Sequence, residues 1–242
     1  MNRRTTQLLL AATAFAAPAL LTACGSDATA DDRAANPGTT RTVDVADLLT
    51  DADTVYSDGA DWFRLATGNE SLDGNGDLAH PCLAQGLSGL GATDVVRADF
   101  ELRNSDAPDI EVKGDLFTQL IGQYDDEAAA SAAYDQVLAA LAKCEDRPGA
   151  ITEYRSFEPR DVQGAGADAG DRAQVVDAQY GPLPAALEDG DSAYIMETGV
   201  ALVGDRVTVL TSVIVGQDYN FLEEDGGTPV NQMLPKAVDR LG

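Results

Sequence analysis

The chain has 242 residues and carries 41 acidic side chains against 16 basic ones, a formal charge of −25. A surface of that sign repels nucleic acid phosphate and anionic lipid headgroups alike, which excludes nucleic-acid binding as a function class. Its length beyond the first forty residues suits one packed domain, and no repeat at a fixed period divides it.

At the N-terminus Arg3 and Arg4 form a positive patch, and Leu8 to Ala23 follow without a single charged side chain. This is the pattern of an export signal. A membrane span needs about 20 apolar residues, and the segment is shorter and interrupted by Pro18. Thr6 and Gln7 stand where a twin-arginine signal has an apolar pair, so general secretion is the expected route. Leu21-Thr22-Ala23-Cys24 resembles the bacterial lipobox. That resemblance implies a signal peptide over residues 1–23, a thioether-linked diacylglyceryl group on Cys24, and Cys24 as the mature N-terminus. The alternative is a structural thiol, and charge, length and lipobox together weigh against it. Burial of acyl chains contributes roughly 0.8 kcal/mol per methylene, and two chains hold a protein stably where one is marginal. The expected location is the extracytoplasmic face of the cell membrane. Removal of Arg3 and Arg4 takes the basic residues from 16 to 14 against 41 acidic ones, a formal charge of −27. The lipid is then the only adhesive element.

Residues 24–42, with the run "GSDATADDRAANPGTTR" after Cys24, contain no large apolar side chain and read as a flexible tether. Cys24 taken as the anchor leaves Cys82 and Cys144 as a pair. Two readings remain for them: a disulfide, or two buried free thiols. An oxidising compartment selects the first, and closing a loop of about 60 residues constrains the unfolded chain by roughly 4 kcal/mol in the loop-entropy model.

The domain expected over residues 43–242 opens with a short helical pattern at Val45, Leu48 and Leu49. Acidic turn residues lead to Trp62, and "LATGNESLDGNGDLAHP" reads as irregular chain. Cys82 begins a turn or helix through Leu83, Leu87 and Leu90. "DVVRADFELR" and "DIEVKGDLFTQLIGQY" read as strands joined by a hairpin at "NSDAPD". "DDEAAASAAYDQVLAALAKCEDRPG" is the strongest helix, acidic at its start and closed by Pro148-Gly149. Ala130, Ala133, Val137, Leu141 and Cys144 share its buried face.

"AITEYRSFEP" and "DRAQVVDAQYG" read as strands around a glycine-rich loop. "DSAYIMETGVALVGDRVTVLTSVIVGQDY" supplies two or three more, turning at Gly204-Asp205, with an apolar and a mixed face expected after the turn. "TPVNQMLPKAVDRL" is a closing helix, bent at Pro235. Strands joined by short turns outnumber helices. The fold class is therefore α+β: a twisted antiparallel sheet flanked by helices, in a single domain.

The order of "LLTDAD", Trp62, "PCLAQGLSGLGA", a strand pair, the alanine-rich helix ending in Cys144 and a late "DGDSAY" strand resembles the PknH-like sensor domains exported by high-GC Gram-positive bacteria. The resemblance spans Val45 to Leu241. It implies a twisted antiparallel sheet with helices and a concave cleft for an unidentified ligand. Receptor-kinase members have two disulfides, whereas this chain offers only Cys82 and Cys144.

Catalytic and metal constellations are weak. His80 is the sole histidine, and no serine sits in a Gly-x-Ser-x-Gly elbow. With Cys82 and Cys144 paired, too few ligands remain for structural zinc. Asp73, Asn75 and Asp77 begin like a calcium loop, but Leu78 replaces the glycine at its sixth position and Ala84 the glutamate at its twelfth. A solvated turn is the better reading, and neither metal nor cofactor is expected. Tyr56, Trp62 and Phe63 read as core, with a ligand-stacking wall as the alternative.

The expected function is a lipid-anchored, non-enzymatic binding or sensor-like module. Its partners are the membrane, through Cys24, and a small molecule or envelope component. The alternatives are a carboxylate-dependent envelope hydrolase and an interaction lipoprotein without a cleft.

Overall fold

The computed structural model describes residues 42–57, 60–69, 82–104, 107–143, 154–161, 172–182, 193–216 and 227–242. Cys24, the signal segment and the tether read before residue 42 lie outside them. A 3-10 turn, Val45–Asp47, comes first and is closed reciprocally: Asp44 accepts from the Ala46 N–H at 2.6 Å and donates its own N–H to Asp47 at 2.9 Å. Then follow β1 (Val55–Ser57), β2 (Ala60–Asn69), α1 (Gly86–Gly89), β3 (Asp94–Asn104), β4 (Ala107–Gln123) and α2 (Glu127–Ala142). The second half holds β5 (Tyr154–Asp161), β6 (Arg172–Pro182), β7 (Ala193–Val203), β8 (Arg206–Gly216) and α3 (Pro229–Leu241).

All pairings are antiparallel, in the order β1-β2-β3-β4-β8-β7-β6-β5. Six strands of ten or more residues form the body of this open sheet, with the three-residue β1 and eight-residue β5 at its edges. Two four-strand meanders thus meet at the β4–β8 pair. The single long jump is the connection through α2, which carries the chain from the middle of the sheet to its far edge. The antiparallel α+β architecture expected from the sequence is what the chain forms.

Side chains alternate between two buried faces. On one, Val96, Ala98, Phe100, Phe117, Ile121, Ala201 and Leu210 pack against α3 and against Val43, Leu48 and Leu49. On the other, Val95, Leu120, Val200, Leu202, Val207 and Val209 meet α2 and the α1 region. Both faces of β8 are therefore covered, where the sequence suggested one apolar and one mixed face. Thr208 is accommodated by donating its hydroxyl to the Leu120 carbonyl at 2.9 Å. At the β7–β8 turn Gly204 takes a positive φ of 55°, which a two-residue hairpin of this hand requires.

Helix α3 contains Pro235, at a cost of about 3 kcal/mol in a helix interior. Burial of Val230, Met233, Leu234, Val238 and Leu241 outweighs it, at roughly 1.5–3 kcal/mol for each fully buried large side chain. Packing rather than propensity holds this helix. β1 and β2 occur where the sequence suggested turns. Asp61, Gly68 and Asn69 are poor strand formers, but β2 is paired from Ala60↔Asn104 to Asn69↔Val96. The neighbouring β3 supplies the ladder, and a bulge between Arg64 and Ala66 absorbs the misfit.

Candidate functional site

The segment after Cys82 folds tightly. Gly86 donates its N–H to the Leu83 carbonyl at 2.9 Å, and Gly86 and Gly91 both adopt positive φ, 59° and 96°. The one-turn α1 that results drives Leu87 under the sheet. Gly122 on β4 admits it closely: a Cβ there would stand 3.2 Å from both Leu87 and Ala92. Opposite, α2 starts at Asp126, whose carboxylate accepts from the Ala129 N–H at 2.8 Å. It buries Ala130, Ala133, Tyr134, Val137 and Leu141, the face expected from the sequence with Tyr134 added.

Between the α1 turn and the last turns of α2 lies an open cavity of about 310 Å³. Leu83, Ala84, Leu90, Ala139 and Ala140 give it aliphatic walls, and Cys82, Gln85, Gln136 and Lys143 contribute the polar and sulfur atoms. The Gln85 and Lys143 side chains are exposed, and Gln136 donates to the Ala132 carbonyl at 3.2 Å. Among its described lining residues there is no carboxylate, hydroxyl or imidazole. Such a hollow can seat a small apolar body and orient one polar end. Among the described residues no group of three or more His, Cys, Asp or Glu side chains is arranged to hold a metal ion.

Cys82 is 7% exposed and disulfide-bonded. Its partner lies outside the described residues, as does Cys144. Lys143, the residue before Cys144, shares the cavity wall with Cys82. His80, Asp73, Asn75, Asp77 and Leu78 also fall outside the described residues. Ala84 sits in the exposed turn at the cavity. Tyr56 is a position on β1, and Trp62 and Phe63 are positions on β2; their side chains are not among those described.

Two charged clusters escaped the sequence reading. Beside α3, Asp53 accepts from the Thr50 N–H at 2.7 Å, the Thr50 hydroxyl at 2.6 Å and Arg240 Nε at 2.9 Å. Burial pushes its carboxyl up, but the Thr50 hydrogen bonds and the Arg240 guanidinium together outweigh it and hold the pKa below the usual value. Lys236 donates to the Asp53 carbonyl at 2.6 Å, so α3 is tied twice to the N-terminal segment. Close by, Arg64 donates its backbone N–H to Asp51 at 2.8 Å and lays its guanidinium 5.6 Å from the centre of the Phe100 ring. Burial draws the Arg64 pKa down, with Asp51 opposing.

On the opposite face Arg172 pins α2 to β6. It donates to Asp135 at 2.8 Å and to the Ser131 hydroxyl at 2.9 Å, and stands 4.3 Å from the centre of the Tyr134 ring. Burial pushes the Tyr134 hydroxyl up to about 12 despite Arg172. The one local mark among these residues is Arg64, a charge inside the largely apolar run "DWFRLAT".

No known family model matches this chain, and no curated protein matches it.

Proposed function

We propose that this chain is a lipid-anchored, extracytoplasmic binding module that acts without catalysis and holds a small molecule or envelope component. The observation that carries the reading is the cavity of about 310 Å³ beside Cys82, within the size range of small-molecule sites. A disulfide at its wall suits an oxidising compartment. The signal-like segment and the lipobox ending in Cys24 supply the anchor, and the likeness in residue pattern to PknH-like sensor domains favours ligand binding over chemistry. Cys144 is the partner proposed for Cys82.

8-Anilinonaphthalene-1-sulfonate, a small aromatic anion with an apolar body, tests the cavity. Its fluorescence is expected to rise on binding the folded protein. Ala139→Trp, which fills the hollow from an exposed helix position, is expected to abolish that rise with the circular dichroism unchanged. Equal fluorescence in both proteins would remove the cavity from consideration.

A further inference from the structure

Arg64 presents a physical anomaly. Its Nε and Nη2 atoms, which form one hydrogen-bonding edge of the guanidinium, are shut off from solvent and have no hydrogen-bond partner among the described residues. Buried polar groups are nearly always paired, and an unpaired charged group is the costliest exception. Carboxylates are not scarce in a chain with 41 acidic and 16 basic residues. Those that act on Arg64 are engaged elsewhere: Asp51 accepts the Arg64 backbone N–H, and Asp53 is held by Thr50 and Arg240. The Phe100 ring offsets part of the cost by facing the cation. It leaves both N–H groups without an acceptor.

We propose that the Nε–Nη2 edge of Arg64 is an anion-recognition site that receives two oxygens of a carboxylate or phosphate group on a small ligand. The planar guanidinium fork matches such groups with two parallel hydrogen bonds, a geometry that lysine cannot reproduce. The surroundings fix the base of the side chain and the ring beside the cation. The bulge after Arg64 and the bond from its N–H to Asp51 fix the backbone, while Phe100 is locked edge-to-face against Phe117 at 5.6 Å. Arg64 as a whole remains partly exposed, so binding requires only that the fork turn toward solvent. This site faces α3, on the opposite side of the sheet from the cavity at Cys82. It stands or falls independently of that cavity.

The test uses the mature chain with ¹⁵N-labelled arginine, titrated separately with acetate and with inorganic phosphate at constant ionic strength in chloride. A saturable shift of the Arg64 Nε–H resonance is expected with at least one of them: acetate marks a carboxylate ligand, phosphate a phosphorylated one. The same anion is expected to raise the Tm of the wild-type chain, and Arg64→Lys, which keeps the charge but not the fork, to bind it about tenfold more weakly. A resonance unmoved by either anion overturns the proposal. So does an equal rise in Tm for Arg64→Lys. Because the resonance is read on the wild-type chain, the test survives a variant that fails to fold.

Discussion

Glu197→Ala is expected to destabilise the domain by about 3 kcal/mol, the combined effect of a lost helix cap and buried donors left unpaired. Glu197 lies on β7 and is 4% exposed. Its carboxylate accepts from the Thr228 hydroxyl and, at 3.1 Å, from the Val230 N–H in the first turn of α3. Thr228, the residue at the cap position, makes no side-chain cap of its own. A strand carboxylate therefore performs the capping and sets a negative charge against the positive end of the helix. Glu197→Gln retains acceptor capacity and loses the charge, so a smaller loss, about 1 kcal/mol, is expected. Urea denaturation measures both, and hydrogen exchange in the first turn of α3 should quicken in step. A change for Glu197→Ala within about 0.5 kcal/mol, the range of an ordinary surface substitution, would refute the capping role.

Gly199→Ala is expected to cost about 2–3 kcal/mol through overpacking. A Cβ at this point of β7 would stand 2.5 Å from Val230 Cγ1 and 3.1 Å from Leu234 Cδ2, where α3 packs directly on the sheet. Val230 is β-branched and held in the helix by its backbone, so it cannot swing aside. Pairing the change with Val230→Ala removes the collision. The double variant should lose less than the sum of the two single losses, with a coupling of about 1 kcal/mol or more in thermal or urea denaturation. Strict additivity would show that helix and strand are not in this contact.

These two residues also mark the limit of what the sequence discloses. The alanine-rich helix was readable because Ala130, Ala133, Val137 and Leu141 repeat at helical spacing and all four are buried. β7 and β8 were readable from their β-branched content and from Gly204-Asp205 between them. β2 was not, because its stability comes from pairing with β3 rather than from residues such as Asp61 and Gly68. Glu197 and Arg64 look like ordinary surface charges until the ladder places them beside α3 and Phe100. Of the three cysteines singled out from sequence, Cys82 is the one described, and its side chain lies at the cavity wall with Leu83, Ala84 and Leu90. Gln85, Gln136 and Lys143 come to it from segments about fifty residues apart, and no local pattern announces that meeting.

The proposed display of the domain outside the cell on a lipid at Cys24 is tested most directly by the mass of the mature chain. Protein taken from the membrane fraction of the producing cell should begin at Cys24, carry the added mass of a diacylglyceryl group, and yield on digestion without reductant a peptide joining Cys82 to Cys144. Cys24→Ala should abolish the added mass and leave the protein released or unprocessed. Recovery of all 242 residues from the cytosol, with Cys24 unmodified and Cys82 reduced, would contradict the proposal outright.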